Sequence, residues 1–544
     1  MKNTTTHTLR ITAQVLPFCF TAPLIVNAQA DWTLLGGGSL DSGRQNTVLA
    51  HDRLSSPTWE TGAENLQTGG SVVVLPGSPY RLIAWSGDDN GTPFNGADDM
   101  IFAKAFNADT GAPSWTSPIL AAGSTLSFGS THTAGVDTAN NRVLMGTGGT
   151  LYSLNGADGT IFWNTPLNAG GSTEVVNGSV TVGGSRAFIT SYGGFTPASK
   201  RLYAISLATG GIDWSVQDGG PGSEAPIFLN IGGTDTVTTL NANGMSSYNA
   251  ATGTLIWSAA APLAGADWST TNTFFGGLTH HEGVLYAGTY NFGGTAQFVA
   301  VNAATGERLW ERANTINGSG TPTVLGNRVY HTGHLSFGFP SYLVAYNKLT
   351  GVEELNLEIN SDSTTYSISP TAFNDALVMT LGSVGFSAPG TPSGLRVLNP
   401  ATGLNLLTPT ANGDLGRGTP ALGANGEIYV LRDGGKLAAY LPVQFASATL
   451  VDADSSTGAG VTDNQTVTVN ITGAYATEMR LSEGSLGSEP FVPFSASSSF
   501  VLSAGTGLKT VNIQLRNGSS TSAVQQATIQ FNAPSSVEDW AMLE

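Results

Sequence analysis

The sequence predicts an all-β protein: an eight-bladed β-propeller followed by a small β-sandwich. Three observations carry that prediction. A phrase of 11 residues, made of an alternating apolar strand, an Asn-x-x-Thr-Gly turn and a tryptophan, recurs along residues 55–445. Its turn glycines lie 43 to 53 residues apart, which is the length that four short strands and their turns consume. After Pro442 the phrase stops, and a new strand rhythm rich in Ser, Thr, Val and Ala runs to about residue 533.

The copies read AFNADTGAPSW ending at Trp115, SLNGADGTIFW at Trp163, AISLATGGIDW at Trp214, SYNAATGTLIW at Trp257 and AVNAATGERLW at Trp310. AYNKLTGVEEL at Leu355 and VLNPATGLNLL at Leu407 keep the turn but carry leucine in place of tryptophan, and LAAYLPV at 437–443 keeps only the strand before the turn. Within each copy an apolar strand such as Phe298 to Val301 runs into the turn, where glycine takes positive φ and the Asn and Thr side chains bond nearby backbone. The tryptophan, four residues after the glycine, opens the outer strand at a fixed height. One aromatic per blade at constant register suits stacking of neighbouring blades, with the indole N–H left for a carbonyl next door.

The eighth copy stops after its third strand, near Leu441, while Leu54 to Glu60, with Trp59, reads as an outer strand without a blade. The two halves are expected to complete one blade, which removes the open sheet edges of an unclosed array. Beyond it, strands are expected at Thr466–Ile471, Glu478–Leu481, Phe500–Leu502, Lys509–Leu515 and Ala527–Phe531, separated by Gly, Ser and Asn turns. About ninety residues of that pattern suit a sandwich of two small sheets. The domains are therefore 1–30, a leader; 31–445, the propeller; 446–534, the sandwich; and 535–544, a short tail containing Trp540.

Composition limits the function classes. Of 544 residues, 38 are acidic and 21 basic, a net charge of −17, and no run of Lys or Arg forms a patch for a phosphate backbone. Nucleic acid is not an expected partner. Lys2 and Arg10, the apolar stretch Ile11 to Val26 and the small-x-small run Ala28-Gln29-Ala30 read as a cleaved export signal. No later stretch is long and apolar enough to span a bilayer. The single cysteine, Cys19, lies in that leader after Phe18, where lipid attachment needs a small residue; the mature chain is left with no disulfide and no thiolate chemistry.

The Asn/Asp-x-x-Thr-Gly-x-x-x-Trp phrase, preceded by strands such as Leu202 to Ala204, resembles the tryptophan-docking repeat of the pyrroloquinoline-quinone-repeat (quinoprotein-like) propellers, over roughly 410 residues. Met479 to Glu483 with Gly507 to Arg516 resembles the immunoglobulin-like modules that end exported bacterial proteins, which serve as spacers or adhesive units. The first resemblance implies two functions. One is a non-enzymatic scaffold that binds protein or glycan partners at the cell envelope or outside the cell. The other is a dehydrogenase of alcohols or sugars holding pyrroloquinoline quinone and calcium in the funnel. The adjacent cysteine pair common in such dehydrogenases is missing, and few basic residues remain to balance an anionic cofactor. The scaffold is the reading adopted, with no cofactor and no catalytic residue assigned.

Single residues add little. Glu174 in GSTEVV, Glu224 in GSEAP and Arg417 in GRGTP lie in segments between blades and could face the funnel. His331-x-x-His334 has metal-ligand spacing for a helix, but it follows a strand, and no third ligand is evident. His280-His281 precede Glu282-Gly283, a hairpin turn, where solvated imidazoles are expected. The acidic loop from Asp88-Asp89 to Asp98-Asp99 departs from the calcium-hand pattern at Pro93 and lacks its closing Glu, so a solvated surface loop is expected. There is no phosphate-binding Gly loop before a helix, no Gly-x-Ser-x-Gly elbow and no zinc-protease helix motif.

Overall fold

A computed structural model describes Arg44 and residues 57–533, apart from short stretches of which the longer are 89–98, 123–132, 193–200, 219–224, 260–271, 361–368, 382–393 and 407–417. The expected leader and tail lie outside the described residues. Every regular element described is a strand.

Successive antiparallel sheets occupy residues 73–116, 135–166, 181–216, 227–259, 279–314, 323–360 and 371–398, and an eighth is built from both chain ends. In the second sheet the order is Gly135–Asp137, Arg142–Thr147, Thr150–Asn155, Ile161–Pro166, each strand pairing with the one before it. This up-and-down meander, repeated with its neighbours face to face, is a β-propeller. The inner strands of the sheets are the most buried, as in Arg142–Thr147 and Ala296–Asn302, because both faces meet neighbouring sheets.

The turn works as its residues predict. Asn107 Oδ1 accepts the N–H groups of Asp109 (2.8 Å) and Thr110 (3.0 Å), and the Gly111 N–H returns to the Asn107 carbonyl at 2.9 Å. Gly111 has φ +70°, a conformation that an L side chain adopts at a cost. A second constraint is tertiary: a Cβ on Gly111 would lie 2.5 Å from the Trp59 ring, and one on Gly159 equally close to Trp115. Each tryptophan of one sheet thus lies flat on the turn glycine of the next.

Its N–H completes the dock. Trp59 donates to the Ala108 carbonyl (3.2 Å), Trp115 to Gly156 (3.0 Å), Trp163 to Leu207 (3.0 Å), Trp214 to Ala250 (3.1 Å), Trp257 to Ala303 (3.1 Å) and Trp310 to Lys348 (3.0 Å). Where tryptophan is replaced by Leu355, the seam is served differently. Leu357 lies on Gly403, 2.7 Å from where its Cβ would be, and the carbonyl of Pro400 takes the Tyr330 hydroxyl at 2.7 Å and Arg328 at 3.1 Å. Tyr330 and Arg328 therefore stand in for the absent indole N–H.

A second line of seam bonds runs where each first strand begins. The Ser71 N–H donates to Thr133 Oγ1 (3.2 Å), Thr133 N–H to Ser179 Oγ (2.9 Å), Thr321 N–H to Ser369 Oγ (2.7 Å) and Ser369 N–H to Thr419 Oγ1 (3.2 Å). These hydroxyls are buried and satisfy amides that no strand partner reaches.

The chain ends close the ring. Trp59–Glu60 pairs with Lys436–Tyr440, Trp59 opposite Ala439 and Glu60 opposite Ala438, as the outer strand of the sheet built from Ala421–Leu422, Ile428–Arg432 and Lys436–Tyr440. Thr58 Oγ1 accepts the Leu441 N–H (2.9 Å) and Thr61 Oγ1 that of Leu437 (3.0 Å). Glu60 is paired with Arg432 and with Lys436 (3.0 Å).

The C-terminal unit is a sandwich. One sheet orders Gln444–Asp452, Thr466–Ala474 and Ser497–Val501; the other orders Val461–Thr462, Gln525–Phe531, Gly507–Asn517, Glu478–Ser482 and Val492–Pro493. Between them lie Val467, Val469, Ile513, Leu515 and Ile529, all buried. The strand Gln444–Asp452 is not among the five expected, because it follows the propeller's last strand with only Leu441, Pro442 and Val443 between, and so carries no turn signal of its own.

That short link is reinforced. Tyr475, a non-glycine residue at φ +60°, packs against the propeller cluster and donates its hydroxyl to the buried Glu427 (2.9 Å), while its carbonyl accepts Asn517 Nδ2 (2.9 Å). Burial, followed by the charge of Glu427, holds the Tyr475 phenol far above its ordinary range, so it remains a donor. Tyr475→Phe is expected to cost about 2 kcal/mol by stranding a buried carboxylate oxygen. Calorimetry should then resolve sandwich and propeller as separate transitions that the native chain merges.

Candidate functional site

One buried network of ionisable side chains lies in the third sheet. Glu174, 1% exposed, sits where the chain enters the short strand Val175–Val176. One carboxylate oxygen accepts the Ser191 hydroxyl and the Tyr203 hydroxyl (2.7 Å). The other lies 3.4 Å from Arg201 Nε, and a Cβ on Gly170 would come within 2.5 Å of it, so the backbone closes over the acid. The Tyr203 oxygen also accepts the Ala169 N–H at 3.1 Å. Burial, and then the hydrogen bond and charge of Glu174, raise the Tyr203 phenol well above its usual value. The network ties the segment between sheets to the strands of the third, with Glu174 Oε1 facing Arg201 Nε but making no hydrogen bond among the described residues.

Glu174, read from the sequence as a residue that could face the funnel, is buried with Ser191, Tyr203 and Arg201 around its carboxylate. Glu224 and Arg417 lie outside the described residues. The residues present do not fit a calcium site at Glu174. A calcium ion takes six to eight oxygens, whereas this carboxylate holds two hydroxyl donors and faces a guanidinium.

The histidines also depart from expectation. His280 and His281 are half-buried: the turn at Glu282-Gly283 forms, but His280 Nε2 accepts the Gly283 N–H (3.1 Å) and His281 Nε2 lies 3.2 Å from Lys348 Nζ. Burial lowers the pKa of both. His331 is fully buried between the fifth and sixth sheets, its ring 5.2 Å from that of Phe298 and its Nε2 2.5 Å from where a Gly288 Cβ would stand. Neither ring nitrogen has a hydrogen-bond partner among the described residues. His334 ends the same strand, and its side chain lies outside the described set. Asp99, expected in a solvated loop, is buried, while 89–98 lie outside the described residues.

Desolvation pulls the His331 pKa down to about 3. The unfolded chain, with an ordinary value of about 6.5, takes up the proton first. The neutral ring's contribution is complete above that pH and is lost as pH falls toward 3, by about 1.4 kcal/mol per pH unit. His331→Leu should remove this slope: the difference between native and variant urea midpoints should widen from pH 7 to pH 5 in the variant's favour.

One carboxylate cluster went unremarked in the sequence. Asp452, Asp454 and Asp463 place one oxygen each within 4.8 Å of one another at one end of the sandwich. The signal was there, three aspartates in DADSSTGAGVTD. Asp452 is nevertheless committed to Thr457, by N–H (3.1 Å) and hydroxyl (2.9 Å), and to the Thr462 hydroxyl (2.9 Å).

Comparison with known proteins bears on the propeller alone. The family model described as outer membrane protein assembly factor BamB matches residues 100–330 and 241–407, which together exceed half the chain. No curated protein matches the sequence. Among solved structures, the quinohemoprotein alcohol dehydrogenase of Comamonas testosteroni is 12% identical, with a TM-score of 0.54 over 75% of this chain and 80% of its own. Quinohemoprotein alcohol dehydrogenase ADHIIG of Pseudomonas putida HK5 is 13% identical, with a TM-score of 0.50 over 74% and 75%. BamB of Moraxella catarrhalis is 15% identical, with a TM-score of 0.45 over 71% and 96%. At these identities the likeness to the two dehydrogenases shows a shared propeller fold and nothing about chemistry.

Proposed function

Since the chain belongs to the propeller family of the outer membrane protein assembly factor BamB, we propose that it is an exported, non-enzymatic scaffold binding protein or glycan partners at the cell envelope or outside the cell. The family match carries this reading. The leader expected in residues 1–30 would take the chain across a membrane. Two features support it: one oxygen of the interior carboxylate Glu174 is taken by Ser191 and Tyr203 while the other faces Arg201, and the six docking tryptophans are committed to the seams. We read the sandwich as immunoglobulin-like on its strand order, in which the first strand pairs in one sheet and its continuation, Val461–Thr462, runs parallel to the last strand in the other. Joined through Tyr475, it acts as part of one binding body.

The test is to mix the purified protein with pyrroloquinoline quinone and calcium, separate by gel filtration, and follow quinone absorbance and dye reduction with alcohols and sugars. The scaffold reading expects no retained quinone and no turnover. Stoichiometric retention with turnover would make the protein a dehydrogenase.

A further inference from the structure

On the outer side of the fourth sheet, a recess lies between the docked Trp257 and the next turn at Ala303 and Ala304, and the equivalent place can be followed along the other seams. The residue paired with the turn asparagine, or its equivalent, marks its floor: Arg142 opposite Asn155, Arg186 opposite Ser206, Thr236 opposite Asn249, Val284 opposite Asn302 and Arg328 opposite Asn347. At Arg142, Arg186 and Arg328 the chain supplies its own guanidinium at this place. Arg142 stacks 3.6 Å over the Phe162 ring and donates to the Leu207 carbonyl at 2.7 Å. Arg186 pairs with Asp213 at 2.8 Å. Arg328 pairs with Glu354 at 2.7 Å and reaches the carbonyls of Pro400 (3.1 Å) and Ala401 (2.9 Å). Where Val284 stands, Lys348 supplies the cation from the opposite wall, 2.9 Å from Glu282.

The fourth sheet breaks the pattern. Its floor residue is Thr236, and the wall residues in register with Phe162, Pro400 and Ala401 are Ile256, Ala303 and Ala304. The result is a cavity of about 510 Å³ that no charged residue lines. Thr234, Thr252 and Thr254 stand at its mouth and the edge of Trp257 borders it.

We propose that this recess receives the guanidinium of an arginine side chain presented by a partner peptide. Its walls hold Ala303 and Ala304, in register with the two carbonyls that Arg328 bonds; the Ala303 carbonyl already accepts the Trp257 indole, as the Leu207 carbonyl accepts both Trp163 and Arg142, and Ile256 puts an apolar face in the position of the ring on which Arg142 lies. The Arg142 recess shows that carbonyls and an apolar face suffice without a carboxylate. Arginine fits better than lysine because its planar, weakly hydrated fork reaches two neighbouring carbonyls at once and lies flat on an apolar wall. The net charge of −17 draws basic peptides to the protein and repels acidic ones. The inference goes beyond the scaffold reading, and quinone retention does not bear on it.

The experiment is calorimetric titration of the full chain with the blocked tripeptide Gly-Arg-Gly, its lysine and citrulline counterparts, and maltotriose. The arginine peptide is expected to bind, and the other two peptides to bind about tenfold more weakly, a difference of about 1.4 kcal/mol. Thr236→Arg should place a guanidinium from the chain itself in the recess, abolish binding and raise the thermal midpoint. Ala304→Glu, at an exposed position, should tighten the arginine peptide severalfold and gives a readout if Thr236→Arg does not fold. The proposal is overturned if the arginine peptide gives no binding heat, if folded Thr236→Arg binds it unchanged, if Ala304→Glu leaves its affinity unchanged, or if maltotriose alone occupies the cavity.

Discussion

Replacing Trp59 with alanine is expected to destabilise the propeller by about 3 kcal/mol and to speed its unfolding more than the same change at any other docking tryptophan. At Trp163 or Trp257 the neighbouring sheets remain joined by continuous chain even when the indole is gone. At Trp59 the joint is a two-residue strand, opposite Ala438 and Ala439, that holds the first part of the chain to the last. The indole supplies both the packing on Gly111 and the bond to the Ala108 carbonyl. Its loss leaves a short backbone ladder to 435–439, the hydroxyls of Thr58 and Thr61, Leu66 and the Glu60 ion pairs to close the ring, and ion pairs with a partly exposed member contribute little. Urea unfolding kinetics of Trp59→Ala beside Trp163→Ala make the comparison: equal unfolding rates would show that closure is not the weak joint.

Gly159→Ala is expected to be nearly as costly, at about 3 kcal/mol, although it adds one methyl group. Two penalties coincide. The backbone there holds φ +74°, and the new Cβ would meet the Trp115 ring at 2.5 Å, so the ring must lift from the turn and stretch its bond to Gly156. Gly232→Ala, also at positive φ but with open space around it, isolates the backbone share and should cost about 1 kcal/mol. Thermal midpoints of the two variants separate dock from turn.

These glycines show how far the sequence could be read. The repeated turn and its tryptophan were legible because every copy states the same local rule, and pairing of the chain ends followed from one surplus outer strand and one missing. That the glycine is also the seat of the preceding tryptophan was not legible, since the contact joins residues 39 to 52 positions apart. Nor was the substitution at Leu355, where Tyr330 and Arg328 from a different strand reach the Pro400 carbonyl. Glu174 was found by type and position, but whether a segment between sheets turns its acid inward depends on Ser191, Arg201 and Tyr203, whose directions only the folded sheet sets. The hydroxyls at Thr133, Ser179, Ser369 and Thr419 were passed over because single Ser and Thr residues are too common to stand out without knowing that each precedes a first strand.

The account rests on ring closure by the chain ends, and an engineered disulfide tests it most directly. The only cysteine, Cys19, lies in the expected leader, so Glu60→Cys with Ala438→Cys introduces the one pair available to the mature chain. These residues face each other across the closing strands. Under mild oxidation the account predicts a single intramolecular bond between positions 60 and 438, seen by peptide mass mapping, with a raised thermal midpoint that reduction reverses. Two free thiols in a folded protein would contradict it.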